Sequence, residues 1–311
     1  VLILNTLTPV FLLIAIGAVL QRTGFVSPGF LKEANRVTYW LGLPSLLFTE
    51  LTRSFHHAVV AERMLLGMAV ATGLVIMLAY ALAWMLRVPG AAHGTFVQGA
   101  FRGNLAFVGL PLVYALPDTT LAGGVSARAA AIVVVGPMMV AYNLVAVVVL
   151  LLSQHRLGWN MLRPFLRQLF TTPPLLATLA GIAFAVAGWS LPAAVDRTFF
   201  ALGEMALPLG LLGVGGSLVT ASRASIGKSA VGAALTKTIA SPVLGWAVGR
   251  ALGLHGLELQ ILVLFMAVPT AVISYVMAVE LKGDEAIASG TIVLSVLTSF
   301  IALAVILALP F

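Results

Sequence analysis

The chain contains no cysteine. That excludes disulfides, thiolate metal sites and thiol nucleophiles. Charge is almost as scarce. Asp, Glu, Lys and Arg make up 9% of the 311 residues, against about 25% in an ordinary soluble domain. There is no HExxH motif, and no nucleophile–base pair stands out. No catalytic residue, resident metal or chemical cofactor is therefore expected. What fills the chain is apolar: 61% of residues are hydrophobic and the mean hydropathy is +1.10. Apolar runs long enough to cross a bilayer, about 20 helical residues each, recur along its length. The expected class is an all-α polytopic membrane protein. The net charge of +7 then reads as cytoplasmic loop charge and not as affinity for nucleic acid. No Lys or Arg precedes the first apolar run, so that run lacks the charged n-region of a signal peptide.

Ten spans are expected, at roughly 3–20, 35–51, 64–86, 94–116, 125–152, 172–190, 199–220, 228–250, 259–281 and 285–309. Loops after odd-numbered spans hold ten Lys and Arg, and loops after even-numbered spans hold five. The bias puts the odd-span loops in the cytoplasm and both termini outside. The remaining two, Arg102 and Lys237, fall inside spans.

The halves resemble each other. "LTPVFLLIAIG" (Leu7–Gly17) lies over "TTPPLLATLAG" (Thr171–Gly181), matching Pro9 with Pro173 and Gly17 with Gly181. The same shift takes Pro44 to Pro208, and a similar one takes Pro111 to Pro269. Five spans per half make the second half upside down relative to the first, the inverted-repeat plan of secondary transporters. The expected organisation is a first repeat at 1–152, a short cytoplasmic linker at 153–171 and a second repeat at 172–311.

The fourth and ninth spans are mates under this repeat, and each carries a proline, Pro111 and Pro269. Breaks there would leave donor N–H groups at one half-helix start and free carbonyls at the other's end. Two such spans, crossing in opposite directions, can bind an anion and a coupling cation near the bilayer midplane. Asn104 can donate and accept, and Thr270 and Ser274 offer hydroxyls after Pro269. Lys237, inside the eighth span, is suited to a substrate carboxylate or to proton exchange. Its other reading is a structural partner of Glu204 or Glu50. Arg102 has two readings, ligand contact or pairing with protein groups. The candidate coupling-ion residues are Asn104, Lys237 and Glu280, with H+ or Na+ as the ion. Glu280 also reads as interfacial. His56 and His57 lack the spacing of a helical metal pair. "GLLGVGG" (Gly210–Gly216) is a small-residue surface for helix packing, within a protomer or between protomers.

"QGAFRGNLAFVGLPL" (Gln98–Leu112) resembles the fourth-span motif of the auxin efflux carrier family, which includes plant auxin carriers and bacterial permeases for malate or malonate. "TYWLGLPSLLF" (Thr38–Phe48), "EMALPLGLLGVGGSL" (Glu204–Leu218), "LTKTIASPVLG" (Leu235–Gly245) and "VPTAVISYVMAVELKGDEAIAS" (Val268–Ser289) extend the likeness over nearly the whole chain. The resemblance implies a ten-span fold of two inverted five-span repeats. Spans 1, 2, 6 and 7 would form a scaffold and homodimer contact. Spans 3–5 and 8–10 would form a transport domain, with spans 4 and 9 crossing at their prolines. It implies elevator-type movement of organic anions, with Asn104, Pro111 and Pro269 at the crossover. Several relatives carry Asn where this chain has Ile273. The short segment after the fifth span implies a compact bacterial member of the inner membrane.

The leading functional expectation is a secondary transporter of mono- or dicarboxylates such as malate, malonate or auxin-like acids. Its expected partners are that small anion, membrane lipid and a second copy of the chain. The alternative is a sodium-coupled symporter of an amphipathic, bile-acid-like acid. A passive channel fits the inverted repeat poorly.

Overall fold

In a bilayer every backbone N–H and C=O must be satisfied within the protein, so apolar runs fold as helices. The computed structural model describes residues 2–54, 58–116, 120–121, 126–154, 173–220 and 227–311. Among them there is no strand, and extended pairing is limited to two isolated bridges, Gly103 with Thr270 and Thr120 with Ser126. The first half contains α1 (Leu2–Arg22), α2 (Pro28–Val37), α3 (Leu43–Ser54), α4 (Ala58–Met85), α5 (His93–Phe101), α6 (Leu110–Ala115) and α7 (Ala127–Gln154). The second half contains α8 (Pro173–Val186), α9 (Ala193–Thr220), α10 (Lys228–Leu235), α11 (Ser241–Ala251), α12 (Gly256–Ala267), α13 (Ile273–Glu280) and α14 (Glu285–Ala308). Among the described residues, four continuous helical stretches are long and apolar enough to cross a membrane: Glu62–Met85, Ala127–Gln154, Lys228–Ala251 and Glu285–Ala308. The expected linker lies almost wholly outside the described residues, as do His56 and His57.

Three helices contain a π turn, at Thr38–Gly42, Leu105–Gly109 and Thr236–Ala240. Each ends two residues before a proline: Pro44, Pro111 and Pro242. Proline lacks an N–H, and its ring clashes with the carbonyl four residues earlier. Slipping the ladder to i→i+5 widens the helix and makes room for the ring. This corrects the expected position of the break in the fourth span. At Pro111 the helix is widened, and Pro111 sits in the first turn of α6, where a missing N–H costs nothing. The break falls earlier, at Arg102–Asn104.

The chain divides into two compact units. One comprises Val1–Glu62, Ala106–Val140 and Leu169–Val219. Its α1–α9 seam is backbone against backbone. A Cβ on Gly17 would collide with the Leu212 main chain, and one on Gly215 with the Ile14 carbonyl. Lipid tails give helices no hydrophobic reason to associate, so such close approach supplies the attraction. The Gly210–Gly216 run thus packs within the protomer. Nearby, Phe48 meets Phe184 and Phe199 at centroid distances of 5.2 and 5.6 Å.

The other unit comprises Arg63–Leu105, Ala141–Gln168 and Thr220–Phe311. Here α5 and α12 are buried nearly all round, as helices without a polar face must be. Phe101 packs edge-on against Tyr142 at 5.6 Å. The Tyr142 hydroxyl reaches Thr72 Oγ1 at 3.4 Å.

Candidate functional site: a backbone bridge flanked by buried cations

Two helices stop short inside the second unit. α12 ends because Pro269 forces its predecessor out of the helical region. Val268 accordingly has φ −56° and ψ 149°. α5 ends at Arg102, with φ −78° and ψ 92°. The freed backbone groups satisfy one another. Asn104 N–H donates to the Pro269 carbonyl at 2.8 Å, and Ala271 N–H donates to the Arg102 carbonyl at 3.0 Å. Gly103 and Thr270 face each other across this antiparallel bridge. Thr270 makes two more ties, one of them to a further helix, α14. Its N–H donates to Ser295 Oγ at 3.0 Å, and its hydroxyl donates to the Gly99 carbonyl at 2.7 Å. Gly103 is required by space. A Cβ there would lie 2.8 Å from Val268 Cγ2 and 3.2 Å from both Cε and Nζ of Lys237.

Lys237 is completely buried. Its amine donates to the Met266 carbonyl at 2.6 Å, and Ser241 Oγ donates to the same oxygen at 2.9 Å. That carbonyl belongs to the last turn of α12, where the helix dipole favours a cation. No carboxylate among the described side chains pairs with Lys237. Of the two acids read as alternative partners, Glu204 is exposed on α9, and the side chain of Glu50 lies outside the described residues. Arg102 is also buried. Its guanidinium donates to Asn143 Oδ1 and to Met277 Sδ. Gln98 Nε2 points at the same sulfur at 3.8 Å.

Of the residues singled out from sequence, Arg102, Asn104, Pro269 and Thr270 meet in the bridge, and Lys237 abuts it. Ser274 is buried in the first turn of α13. Pro111 lies on α6, seven residues past Asn104. Glu280 closes α13, and its side chain is outside the described residues. Sequence reasoning missed Asn143, which gave no signal beyond being an amide in an apolar run. It also missed Gly103 and the thioether of Met277. Three buried polar atoms, Gln98 Oε1, Ser274 Oγ and Thr291 Oγ1, make no hydrogen bond among the described residues. Buried groups of this kind are ordinarily satisfied by water or ligand.

A family model described as membrane transport protein matches residues 2–307. The chain is also similar to a protein of Methanothermobacter thermautotrophicus described as an uncharacterized transporter. The two are 26% identical over 304 residues, covering 96% of this chain and 95% of the relative.

Proposed function

From the premise that this chain is a membrane transporter belonging to the membrane transport protein family, that of the auxin efflux carriers, we propose that it carries small organic anions by secondary transport. The observation that carries this reading is Lys237: a buried amine at the bridge whose one hydrogen bond among the described residues goes to a neutral carbonyl. A buried charge without a countercharge is expensive, and a carboxylate arriving at the bridge supplies the missing partner. Asn104, Thr270 and Ser274 add neutral hydrogen-bonding groups of both kinds. Arg102 adds positive potential. Mono- and dicarboxylates such as malate, malonate or an aromatic acid are the substrates of choice.

The rest of the reading follows the family plan. Ten spans form two inverted repeats in the bacterial inner membrane, with both termini outside. A transport domain of spans 3–5 and 8–10 slides past a dimeric scaffold of spans 1, 2, 6 and 7. Lys237 fills the carbonyl end of α12 with its own amine, the position a coupling sodium would otherwise favour, and so supports transport without sodium.

The test is uptake and counterflow of radiolabelled malate, malonate and indole-3-acetate by proteoliposomes, with and without sodium and a proton gradient. Saturable, sodium-independent transport is expected. Asn104→Ala and Lys237→Met should each lower the apparent affinity at least about tenfold, the loss of one charge-assisted hydrogen bond of about 1.5–3 kcal/mol. Unchanged transport in both variants would remove the bridge as the binding site. Strict sodium dependence with an amphipathic acid would favour symport.

A further inference from the structure

Between α11 and α14 the second unit has an apolar groove of about 500 Å³. Thr238, Pro242 and Val263 form its floor and are buried. Trp246, Ile301 and Val305 form its walls and are at least half exposed, at 50%, 66% and 53%. The floor has no free polar group to offer. Thr238 Oγ1 is bonded to the Ala234 carbonyl and to Thr298 Oγ1, and Thr298 is bonded to the Leu294 carbonyl.

Charge is concentrated at one end. On the helix wall, Ile239, Val243 and Trp246 form a stripe whose next member, four residues on, is Arg250. Arg250 is exposed, and its Nη1 lies 2.8 Å from His255 Nδ1. Arg63 reaches the same turn, with Nη1 3.9 Å from the Cβ position of Gly253. Glu258 offsets one of these charges. From Arg250 down to Thr238 is twelve residues, or about 18 Å of helix. One leaflet of hydrocarbon is about 15 Å deep.

We propose that this groove is a phospholipid site, with one acyl chain lying from Trp246 to Thr238 and the phosphate held by Arg250. The match is in length, polarity and charge together. Trp246 stands between the two zones, where an indole favours the headgroup boundary. A second copy of the chain fits less well. Helix seams in membranes use small residues that let backbones approach, whereas this rim is built of Ile, Val, Trp and Leu. Thr238 of the floor belongs to the π turn that carries Lys237, so an occupied groove braces the segment placing that amine. The proposal does not depend on the identity of the transported substrate.

The test uses purified full-length protein in mixed micelles titrated with phosphatidylglycerol bearing a dibrominated acyl chain, which quenches tryptophan on contact. Trp246→Phe identifies the Trp246 share of the signal. In the wild type that share should be quenched at a several-fold lower lipid fraction than the remaining tryptophans. Ala302→Phe, which fills the groove, should abolish this tight component. Arg250→Gln, a change at an exposed residue, should weaken it about tenfold while the protein stays folded. Quenching of Trp246 in simple proportion to bulk lipid, identical in wild type and Arg250→Gln, would overturn the proposal. So would efficient disulfide crosslinking between protomers through Val243→Cys, which would show a second copy covering the groove.

Discussion

Gly103→Ala tests whether the Lys237 amine and the bridge share one space. The added methyl would sit 2.8 Å from Val268 Cγ2 and 3.2 Å from Cε and Nζ of Lys237. Non-bonded carbons prefer about 3.5–4.0 Å. The valine methyl must therefore retreat by about 0.7 Å or more, and the lysine tip by several tenths. Val268 can turn about χ1. Lys237 has less freedom, because its amine is held 2.6 Å from the Met266 carbonyl. Overpacking of this kind costs about 1–3 kcal/mol. In a Lys237→Ala background both lysine atoms are gone and only the Val268 contact remains. Contacting residues typically couple by about 0.5–3 kcal/mol. The cost of Gly103→Ala should then fall by about 1 kcal/mol in that background. The assay is equilibrium unfolding in mixed micelles of the wild type, both single variants and the double variant. Costs that add to within about 0.3–0.5 kcal/mol would refute the claim that the amine crowds the bridge.

Other outcomes follow from local geometry. Gly73 lies in α4 with nothing within 4 Å of its Cβ position, so Gly73→Ala should stabilise by about 0.5–1 kcal/mol. Gly215→Ala faces the Ile14 carbonyl, and a backbone cannot swing aside. A loss of at least about 3 kcal/mol is expected, and thermal unfolding in detergent ranks the two glycine variants. Asn143→Leu removes an acceptor of the Arg102 guanidinium and should cost about 1.5–3 kcal/mol; equal stability would mean Asn143 is incidental. Asp284 caps α14 by accepting from the Ile287 N–H at 2.9 Å. Asp284→Ala should cost about 1 kcal/mol and speed hydrogen exchange in the first turn of that helix.

The membrane class was legible because hydropathy and length act over twenty residues at a time, and no local detail can cancel them. Lys237 and Asn104 were legible for the opposite reason: single polar groups are too costly in such runs to be accidental. The break in the fourth span was misread at Pro111. A proline announces a missing donor, but a π turn two residues earlier absorbs it, and nothing local in the sequence separates widening from breaking. Pro269 was read correctly as a break because there the chain also turns extended at Val268. Gly103 and Asn143 escaped for a third reason. Their roles exist only in contact with residues more than 130 and about 40 positions away. The Met266 carbonyl that accepts from Lys237 escaped likewise, since a helix end offers a carbonyl that sequence cannot distinguish from any other.

The ends of the two broken helices are fastened to each other by main-chain atoms. Asn104 and Ala271 contribute amide hydrogens, while Arg102 and Pro269 contribute carbonyl oxygens. Any amino acid can supply a carbonyl, and any but proline can supply the amide. The two main-chain bonds of the bridge therefore survive exchange of the side chains at 104 and 274, whereas Arg102 and Thr270 also tie it to its surroundings through their side chains. The veto falls on proline at 104, 270 and 271, whose amide hydrogens are all donated here, and on anything larger than glycine at 103. A fold fastened in this way can pass from one cargo to another by small inherited steps, each of which leaves a folded protein behind it.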